Sequence, residues 1–271
     1  MKVLDGKIVA ENLKKDFEKR INDLKVNPNV AVLGIKGDEA SGVYIKRIQK
    51  NCEKYRIGFN LLLADTEKDF KENFKKIKND NSITGVMFQQ PLSKELSELI
   101  NEIPSNKDIE GVNIENMGKL FTGKDDAIIP CTSKAVMEVF DFYNIDLTGK
   151  KVVVVGRSNI VGKPLIPQLL EKNATVTVCH SKTKNLKEMT KQADILIAAI
   201  GKAKFITADM VKEGAAVIDV GINRTENGLV GDTDFDNIKE KASFITPVPG
   251  GVGPMTIAML MTNVIKAAKQ Q

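Results

Sequence analysis

The stretch KVVVVGRSNIVGKPLIPQLL, residues 151–170, decides the fold. Its valine run predicts a buried strand, Gly156 and Gly162 flank a turn, and Pro164 stands where the first turn of a helix tolerates proline. A strand, a glycine turn and a helix in this order present backbone N–H groups and a helix N-terminus to a pyrophosphate. The glycine spacing is G-x5-G rather than G-x-G-x-x-G, so a tight turn that binds nothing remains an alternative.

Apolar runs alternate with segments of helical period on both sides of this stretch. This order predicts an α/β fold with a parallel sheet and helices on its faces. The predicted strands are residues 29–35, 59–64, 85–92, 151–155, 175–179, 194–200, 216–220 and 243–246, and the predicted helices are 39–56, 67–78, 94–103, 134–143 and 255–269.

A stretch of low regularity, residues 104–132, separates the two series of strands and helices. We therefore place the domain boundary within residues 104–145. Residues 1–120 and the C-terminal helix 255–271 are predicted to form one domain, and residues 121–254 are predicted to form the nucleotide-binding domain.

The end of the predicted strand 175–179 favours NADP over NAD. Enzymes that use NAD typically place Asp or Glu there to hold the ribose hydroxyls, whereas TVCHSKTKN, residues 177–185, contains no acid. Arg157 in the neighbouring turn and Ser181 offer the guanidinium and hydroxyl groups that a 2′-phosphate accepts. Solvated loop positions for both residues remain the alternative, and His180 is interpreted as a packing residue rather than a catalyst.

Composition excludes several classes of protein. The 271 residues, 42% of them hydrophobic and 28% charged, are typical of a globular protein with two domains or one large one. One histidine excludes a multi-histidine metal site, and three cysteines without a CxxC pair exclude structural zinc and a disulfide framework. The net charge of +5 is scattered, and no apolar run reaches the roughly 18 residues of a membrane helix. We expect a cytoplasmic protein without metal that binds neither nucleic acid nor membrane.

The segment TPVPGGVGPMT, residues 246–256, is the most specific in the chain. Three prolines and three glycines in eleven residues predict a stiff loop with permissive backbone positions, followed by a helix. At the carboxyl edge of a parallel sheet, such a loop is an expected place for a ligand. The segment VIDVGINR, residues 217–224, ends another strand and is predicted to lie near the nicotinamide.

Taken with GRSNIVGKP, this loop resembles the methylenetetrahydrofolate dehydrogenase/cyclohydrolase family. The resemblance extends in the family's order to further blocks: LDGK (4–7), SGVY (41–44), GVMFQQPL (85–92), KDIEGVNIENMGKL (107–120) and PCT (130–132). It implies a two-domain α/β homodimer with a Rossmann domain for NADP and a folate cleft between the domains. The implied reactions are oxidation of 5,10-methylenetetrahydrofolate and, in most members, hydrolysis of the methenyl product.

Roles for individual residues follow from the matching blocks. The resemblance implies that the cofactor contacts Gly156, Arg157, Ser158, Ser181 and Ile222. It implies that the folate contacts Tyr44, Gln89, Glu110 and the loop residues Pro249, Gly250, Gly251, Gly253 and Pro254, with Tyr44, Gln89 and Glu110 as the catalytic set. Hydride transfer from a methylene carbon between two nitrogens needs positioning of two rings rather than a metal or a covalent nucleophile.

The chain departs from the family at the residue four positions after Tyr44. Bifunctional members carry a lysine there that takes part in the proton transfers of hydrolysis, whereas this chain has Ile48. Cys52, eight positions after the tyrosine as is common in the family, fixes the register. Lys46 and Lys50 each lie about 200° around the helix from Ile48 and point away from it, and Arg47 stays protonated and is a poor proton acceptor.

Two milder departures are Glu110, where the family has Asp, and Ser133, where the family has Pro. Three hypotheses follow. The first is an NADP-dependent dehydrogenase with hydrolysis lost or weak, the second is a bifunctional enzyme in which another group replaces the lysine, and the third is a folate- or nucleotide-binding protein without catalysis.

Overall fold

The computed structural model describes residues 1–37, 39–226 and 228–271, and for residues 39–41 it describes the backbone only. The chain folds into two compact units. The six-stranded unit comprises Met1–Leu13 and Thr132–Thr256, and the three-stranded unit comprises Lys14–Cys131 and Ile257–Gln271. Each is named after its main sheet.

Strands and helices alternate through most of the chain. The strands are β1 (Lys2–Val3), β2 (Asn29–Ile35), β3 (Gly58–Ala64), β4 (Gly85–Phe88), β5 (Lys151–Val155), β6 (Thr175–Cys179), β7 (Ile195–Ala198), β8 (Ala216–Asp219), β9 (Asn223–Thr225), β10 (Gly228–Val230) and β11 (Phe244–Ile245). The α-helices are α1 (Gly6–Lys14), α2 (Phe17–Asn22), α3 (Glu39–Lys54), α4 (Glu67–Lys78), α5 (Lys94–Glu98), α6 (Ile114–Phe121), α7 (Cys131–Phe142), α8 (Gly162–Glu171), α9 (Leu186–Thr190), α10 (Phe235–Ile238) and α11 (Met255–Lys269). Short 3₁₀ helices cover Leu99–Glu102, Ser105–Lys107 and Ala208–Met210.

The six-stranded unit is built on a parallel sheet in the order β1-β11-β8-β7-β5-β6. The valines of β5 are all buried, which explains the continuous apolar run, since a parallel sheet is covered on both faces. β5 pairs with β6 on one side and with β7 on the other. The order in which strands are added to the sheet therefore reverses at β5. In doubly wound sheets, ligands bind at the carboxyl ends of the strands beside such a reversal.

The three-stranded unit has a parallel sheet in the order β3-β2-β4, with α3 and α4 as its crossovers. Phe88 at the end of β4 packs edge-to-face against Phe70 and Phe74 of α4, with ring centroids 5.3 and 5.9 Å apart. Thr66 and Asp69 form a capping box that fixes where α4 begins. The two-domain α/β fold predicted from the sequence is confirmed.

The bounds of the two units differ from the predicted domain bounds at three places, one of them being Met255 and Thr256, which belong to the six-stranded unit. The first 13 residues belong to the six-stranded unit, because β1 pairs with β11 in the register Lys2↔Phe244. Residues 121–131 belong to the three-stranded unit, where Asn263 of α11 donates hydrogen bonds to the carbonyls of Ile109 and Ile129, both at 2.9 Å. From Ile257 onward, α11 belongs to the three-stranded unit.

Several predicted elements end earlier than the sequence pattern. The strand predicted over 85–92 ends at Phe88, because Pro91 has no N–H for a ladder. The helix predicted to reach residue 56 ends at Lys54, and Arg56 has a left-handed φ of 56°. The helix predicted over 94–103 becomes 3₁₀ after Glu98 and ends at Glu102, since Pro104 favours the extended conformation that Ile103 adopts.

Other elements begin where the sequence pattern indicated no helix or a later start. Within 104–132 the structure adds α6, whose Asn113 side chain accepts a hydrogen bond from the Glu115 amide. The helix predicted over 134–143 begins three residues earlier, at Cys131.

Candidate functional site

The turn between β5 and α8 leaves no room for side chains at its two glycines. Gly156 has a φ of +137°, and a Cβ there would lie 2.1 Å from the carbonyl oxygen of Ala199. A Cβ on Gly162 would lie 2.1 Å from the carbonyl oxygen of Gly156. The glycine pair therefore brings the N-terminus of α8 against the carboxyl end of β5, where a phosphate group is favoured.

A cavity of about 300 Å³ opens beside this turn. Its lining contains Gly156, Arg157, Ser158 and Ser181 from the predicted cofactor set, together with His180. It also contains residues that the sequence did not single out: Val155, Leu186, Ala199, Ile200, Lys202 and Phe205. The structure thus brings four of the five predicted cofactor residues together.

Ile222, the fifth, lies elsewhere in the same unit, against the proline–glycine loop. Its side chain is exposed, and its Cδ1 would lie 3.3 Å from a Cβ on Gly253. Gly250 in this loop has a φ of +115°, and its carbonyl accepts a hydrogen bond from the Gly6 amide at 2.9 Å. A Cβ on Gly6 would lie only 1.7 Å from the carbonyl oxygen of Gly251. This close approach gives the LDGK block a structural role that the sequence alone did not reveal.

The chemistry of the cavity lining fits a phosphorylated dinucleotide. Guanidinium, ammonium and hydroxyl groups line it together with a glycine, and no carboxylate is among the described lining residues. Charge-assisted hydrogen bonds from such groups hold phosphate, and the volume is within the range of small-molecule sites.

Two buried aspartates hold the backbone behind this cavity. The Asp232 carboxylate accepts hydrogen bonds from the amides of Ile200, Gly201 and Lys202, at 2.5, 2.9 and 2.9 Å. Asp219 accepts hydrogen bonds from the amides of Gly221, Asp232 and Thr233 and from the Thr233 hydroxyl. Burial raises the pKa of Asp219. The sequence carries no signal for these contacts, because all of them except the one at Gly221 join residues that are 13 or more positions apart in the chain.

In the three-stranded unit, the structure brings Gln89 and Glu110 together at the carboxyl end of β4. The Glu110 carboxylate accepts a hydrogen bond from the Phe88 amide at 3.2 Å, next in the chain to Gln89. The Gln89 side-chain nitrogen donates to the Gln90 carbonyl at 2.6 Å. Among the described residues, its Oε1 is buried without a hydrogen-bond partner. A buried unpaired acceptor is costly and is therefore a candidate contact for a ligand.

Glu110 is half-buried, and desolvation raises its pKa to about 8, with repulsion from Asp108 adding to the effect. Asp108 is fully buried and accepts hydrogen bonds from the amides of Glu110, Gly111 and Asn113. It thereby fixes the loop that carries Glu110. A carboxyl group with a pKa near 8 is largely protonated at neutral pH and exchanges its proton there.

On α3, Ile48 and Cys52 are fully buried and Tyr44 is half-buried, while Lys46 and Lys50 are exposed. The helical arrangement predicted from the spacing is therefore present. Burial raises the pKa of Cys52 to about 12, so this thiol stays neutral and packs as an apolar group.

Ser133, the third position at which the sequence predicts a departure from the family pattern, is fully buried near the start of α7. Its hydroxyl accepts a hydrogen bond of 3.1 Å from the side-chain nitrogen of Gln168 in α8. The serine therefore links two helices of the six-stranded unit.

Neither a metal site nor a membrane span is found among the described residues. Across residues 1–37, 39–226 and 228–271, no group of three or more His, Cys, Asp or Glu side chains is placed to hold a metal ion. No helix in that part of the chain is long and apolar enough to cross a membrane.

A doubly wound sheet with a glycine turn and a cation-lined cavity, in a chain that also has a smaller α/β unit, defines a two-domain α/β protein with a dinucleotide-binding domain. Two family models match the chain. Residues 4–110 match the catalytic domain of tetrahydrofolate dehydrogenase/cyclohydrolase, and residues 130–271 match its NAD(P)-binding domain. The chain belongs to the tetrahydrofolate dehydrogenase/cyclohydrolase family, which confirms the resemblance found in the sequence.

Relatives resemble the chain over its whole length. The bifunctional protein FolD of Bacillus subtilis is 48% identical over 277 residues, which cover 99% of this chain and 98% of that protein. The crystal structure of the FolD methylenetetrahydrofolate dehydrogenase/cyclohydrolase of Campylobacter jejuni has a TM-score of 0.93 and 41% identity, covering 100% and 99%. The Trypanosoma brucei enzyme, complexed with NADP cofactor and inhibitor, has a TM-score of 0.89 and 30% identity, covering 99% and 97%.

Proposed function

We propose that this chain is an NADP-dependent 5,10-methylenetetrahydrofolate dehydrogenase. The observation that carries the proposal is the cavity in which Gly156, Arg157, Ser158 and Ser181 meet without a carboxylate among the described lining residues. The NADP complex of the Trypanosoma brucei relative supports the choice of cofactor.

The protein's part in this reaction is to hold two rings in register. When bound, NADP supplies the nicotinamide ring that accepts a hydride. Arg157 and Ser181 hold the 2′-phosphate end, and Ile222 with the loop at 249–254 forms an apolar and glycine-rich surface for the rings. Tyr44, Gln89 and Glu110 hold the folate, with the unpartnered Gln89 Oε1 as an acceptor. Alignment of this kind supplies a large part of the rate of such reactions.

For the hydrolytic step, the first candidate is that this activity is lost or weak. Ile48 occupies the position of the family's lysine, is fully buried and has no proton to transfer. General acid–base help is typically worth roughly 10²–10⁴-fold. Without it, we expect methenyl hydrolysis to stay near its spontaneous rate.

The second candidate is a bifunctional enzyme, and two observations favour it. Relatives 45–48% identical to this chain are named bifunctional. The Glu110 carboxyl group, with a pKa of about 8, exchanges a proton near neutral pH and is thus able to replace an amine in proton transfer.

Separate assays of the two steps on one preparation decide between these candidates. Purified protein is mixed with methylenetetrahydrofolate and NADP, and NADPH and the methenyl product are followed by absorbance. An increase in NADPH absorbance together with accumulation of the methenyl product supports the first candidate. NADPH growth without accumulation beyond the spontaneous-hydrolysis control supports the second, and no change at all refutes the dehydrogenase proposal in favour of a non-catalytic binding protein.

We further propose that the protein is a cytoplasmic homodimer that binds no nucleic acid. All three cysteines are thiols rather than disulfides, as is usual in a reducing compartment. β3 lies at the edge of its sheet and carries an exposed leucine, Leu61, a surface of the kind that pairs between chains. Light scattering after size-exclusion chromatography tests the dimer, and a monomer at micromolar concentration contradicts it.

A further inference from the structure

The loop that follows β7 carries an aromatic ring that the core does not bury. Phe205 lines the 300 Å³ cavity and keeps 41% of its surface exposed. Exposed large apolar side chains in a concave site are typical of ligand contacts. The dehydrogenase proposal above leaves this ring without a role.

The position of Phe205 is fixed by its backbone neighbours. The amide of Lys204 donates to the Gly231 carbonyl at 3.0 Å, and the amide of Ile206 donates to the Asp232 carbonyl at 2.9 Å. Ile206 is fully buried. The chain is thus anchored on both sides of Phe205, and hydrogen bonds to the carbonyls of Gly231 and Asp232 hold the ring out of the core.

The Asp232 carboxylate holds the other end of the same loop. It binds three successive backbone amides, from Ile200 to Lys202, and also the side-chain nitrogen of Asn223 at 2.9 Å. Asp232 is itself fully buried. The cavity wall from residue 200 to residue 206 is therefore preorganised, which lowers the entropic cost of binding.

Lys202 adds a cation to this wall. Its ammonium lies 5.6 Å from the centroid of the Phe205 ring, within the range of a cation–π contact. Lys202 and Phe205 line the same cavity as Arg157 and Ser181. A cation and an aromatic face thus stand next to the groups already assigned to the phosphorylated ribose.

The sheet order places this loop opposite the ribose-binding strand end. β6, which ends just before Ser181, and β7, which ends just before the loop, flank β5 and its glycine turn. In doubly wound sheets the pyrophosphate lies at that turn and the ribose at the end of the next strand. The adenosine end of the cofactor therefore falls between the two strand ends.

We propose that this loop forms the second wall of the adenosine site, in which Phe205 contacts the face of the adenine ring and Lys202 binds the 2′-phosphate together with Arg157. The inference rests on the proposed use of NADP. It assigns different selectivities to the two residues: adenine is common to NAD and NADP, whereas only NADP carries the 2′-phosphate.

Binding of cofactor fragments separates these selectivities without any turnover. The probes are adenosine 2′,5′-bisphosphate and 5′-AMP, measured by calorimetry on the full chain. We expect Phe205→Ala to weaken both probes by roughly tenfold, since a base loses its stacking platform, and Phe205→Tyr to stay within about twofold of wild type because it keeps the ring. We expect Lys202→Gln to weaken the bisphosphate by roughly tenfold and 5′-AMP by less than about twofold.

Lys204→Gln is the matched control, because Lys204 is an exposed lysine of the same loop outside the cavity lining. It should change neither affinity. Unchanged binding of both probes to Phe205→Ala overturns the adenine contact, and equal losses of both probes in Lys202→Gln overturn the 2′-phosphate contact. Because Phe205 is partly exposed, its alanine variant is expected to keep the wild-type unfolding midpoint.

The same preparation distinguishes failure of this inference from failure of the proposed function. Wild-type protein that oxidises methylenetetrahydrofolate with NADP, while the variants bind both probes as wild type does, refutes the inference alone. Wild-type protein that binds the bisphosphate but transfers no hydride refutes the proposed function alone. Wild-type protein that binds neither the bisphosphate nor NADP refutes both.

Discussion

The glycine turn of the six-stranded unit and the α3–β4 region of the three-stranded unit are candidate sites of different construction. At the turn, two backbone segments approach so closely that Gly156 and Gly162 leave no space for a side chain. At α3 and the carboxyl end of β4, the candidate site consists of individual side chains, and Ile48 and Glu110 are the two at which the sequence predicts a departure from the family pattern. The first site is therefore constrained by the geometry of the backbone, whereas the second depends on the chemistry of single side chains.

The two regions also differ in their electrostatics. The cofactor cavity has exposed cationic groups, such as Arg157, that keep their contact with water. The second region has a half-buried carboxyl group, Glu110, whose pKa is raised to about 8. We therefore expect changes in the first region to act on ligand affinity and changes in the second to act on pH dependence and on stability.

The largest expected effect is that of Gly156→Ala. The new Cβ would lie 2.1 Å from the Ala199 carbonyl oxygen at a φ of +137°, a conformation that strains any residue with a side chain. We expect NADP to bind roughly 1000-fold more weakly, or by about 4 kcal/mol. Calorimetry with NADP measures this, and an unfolding curve verifies that the variant folds.

Gly118→Ala is the control for this variant. Gly118 lies within α6, and a Cβ added there would have no neighbouring atom within 4 Å among the described residues. Alanine there should raise the free energy of unfolding by about 0.5–1 kcal/mol and leave NADP affinity unchanged. Wild-type NADP affinity in Gly156→Ala would show that the close approach at the turn is not needed for binding.

The second prediction concerns a charge at position 48. Ile48→Lys places an ammonium where the side chain is fully buried, so we expect the free energy of unfolding to fall by about 3 kcal/mol at pH 7. Burial lowers the pKa of such a lysine, so the unfolded state binds more protons and the loss should shrink as the pH rises toward 10. Urea unfolding at both pH values measures this.

Ile48→Met is the control, since it keeps an apolar side chain and should cost less than about 1.5 kcal/mol. If Ile48→Lys is as stable as Ile48→Met at pH 7, the amine reaches water and position 48 is open to solvent. Restored hydrolysis in that variant would further support the first candidate for the hydrolytic step.

The third prediction uses the raised pKa of Glu110. Between the unfolded value of 4.5 and the folded value of about 8, the folded protein holds a proton that the unfolded chain has lost, so stability falls as the pH rises. One proton accounts for at most about 1.4 kcal/mol per pH unit. Because Glu110 is half-buried, we expect wild type to lose about 2 kcal/mol relative to Glu110→Gln from pH 5 to pH 8.

Urea unfolding of both proteins at several pH values tests this difference. Parallel stability curves for wild type and Glu110→Gln would mean that the carboxyl group is ionised throughout this range. The second candidate for hydrolysis would then lose its proton-transfer group.

The sequence predicted the sheets well because their strands are continuous apolar runs, and β2 and β5 were placed with their observed bounds. It did not predict β1, since two residues carry no periodicity. The sequence also did not predict the contact of Gly6 with Gly250 and Gly251, because these residues are more than 240 positions apart in the chain.

In the candidate site, the sequence predicted the residues that lie next to a recognisable turn or strand end. Arg157 and Ser181 follow strand ends, where ligands of parallel sheets bind. Phe205 and Asp232 act through a loop whose path depends on buried hydrogen bonds. No local pattern encodes those bonds, so only the three-dimensional structure shows that Phe205 lines the cavity and that Asp232 holds the loop behind it.

The smallest expected effect concerns Arg157, which lines the cofactor cavity and is exposed. Because its guanidinium remains in contact with water, its bond to a phosphate is worth less than a buried one, and we expect Arg157→Ala to weaken NADP by roughly tenfold, or about 1.4 kcal/mol. Affinity for NAD should hardly change, since NAD lacks the 2′-phosphate.

Lys172→Ala is the control for Arg157→Ala. It removes one positive charge at the far end of α8, about 15 Å along the helix, and should leave the ratio of the NADP and NAD affinities unchanged. Equal losses of NADP and NAD in Arg157→Ala would show that the guanidinium binds a part common to both cofactors. Discrimination between NADP and NAD would then depend on Ser181 and Lys202, the other polar groups of the same cavity.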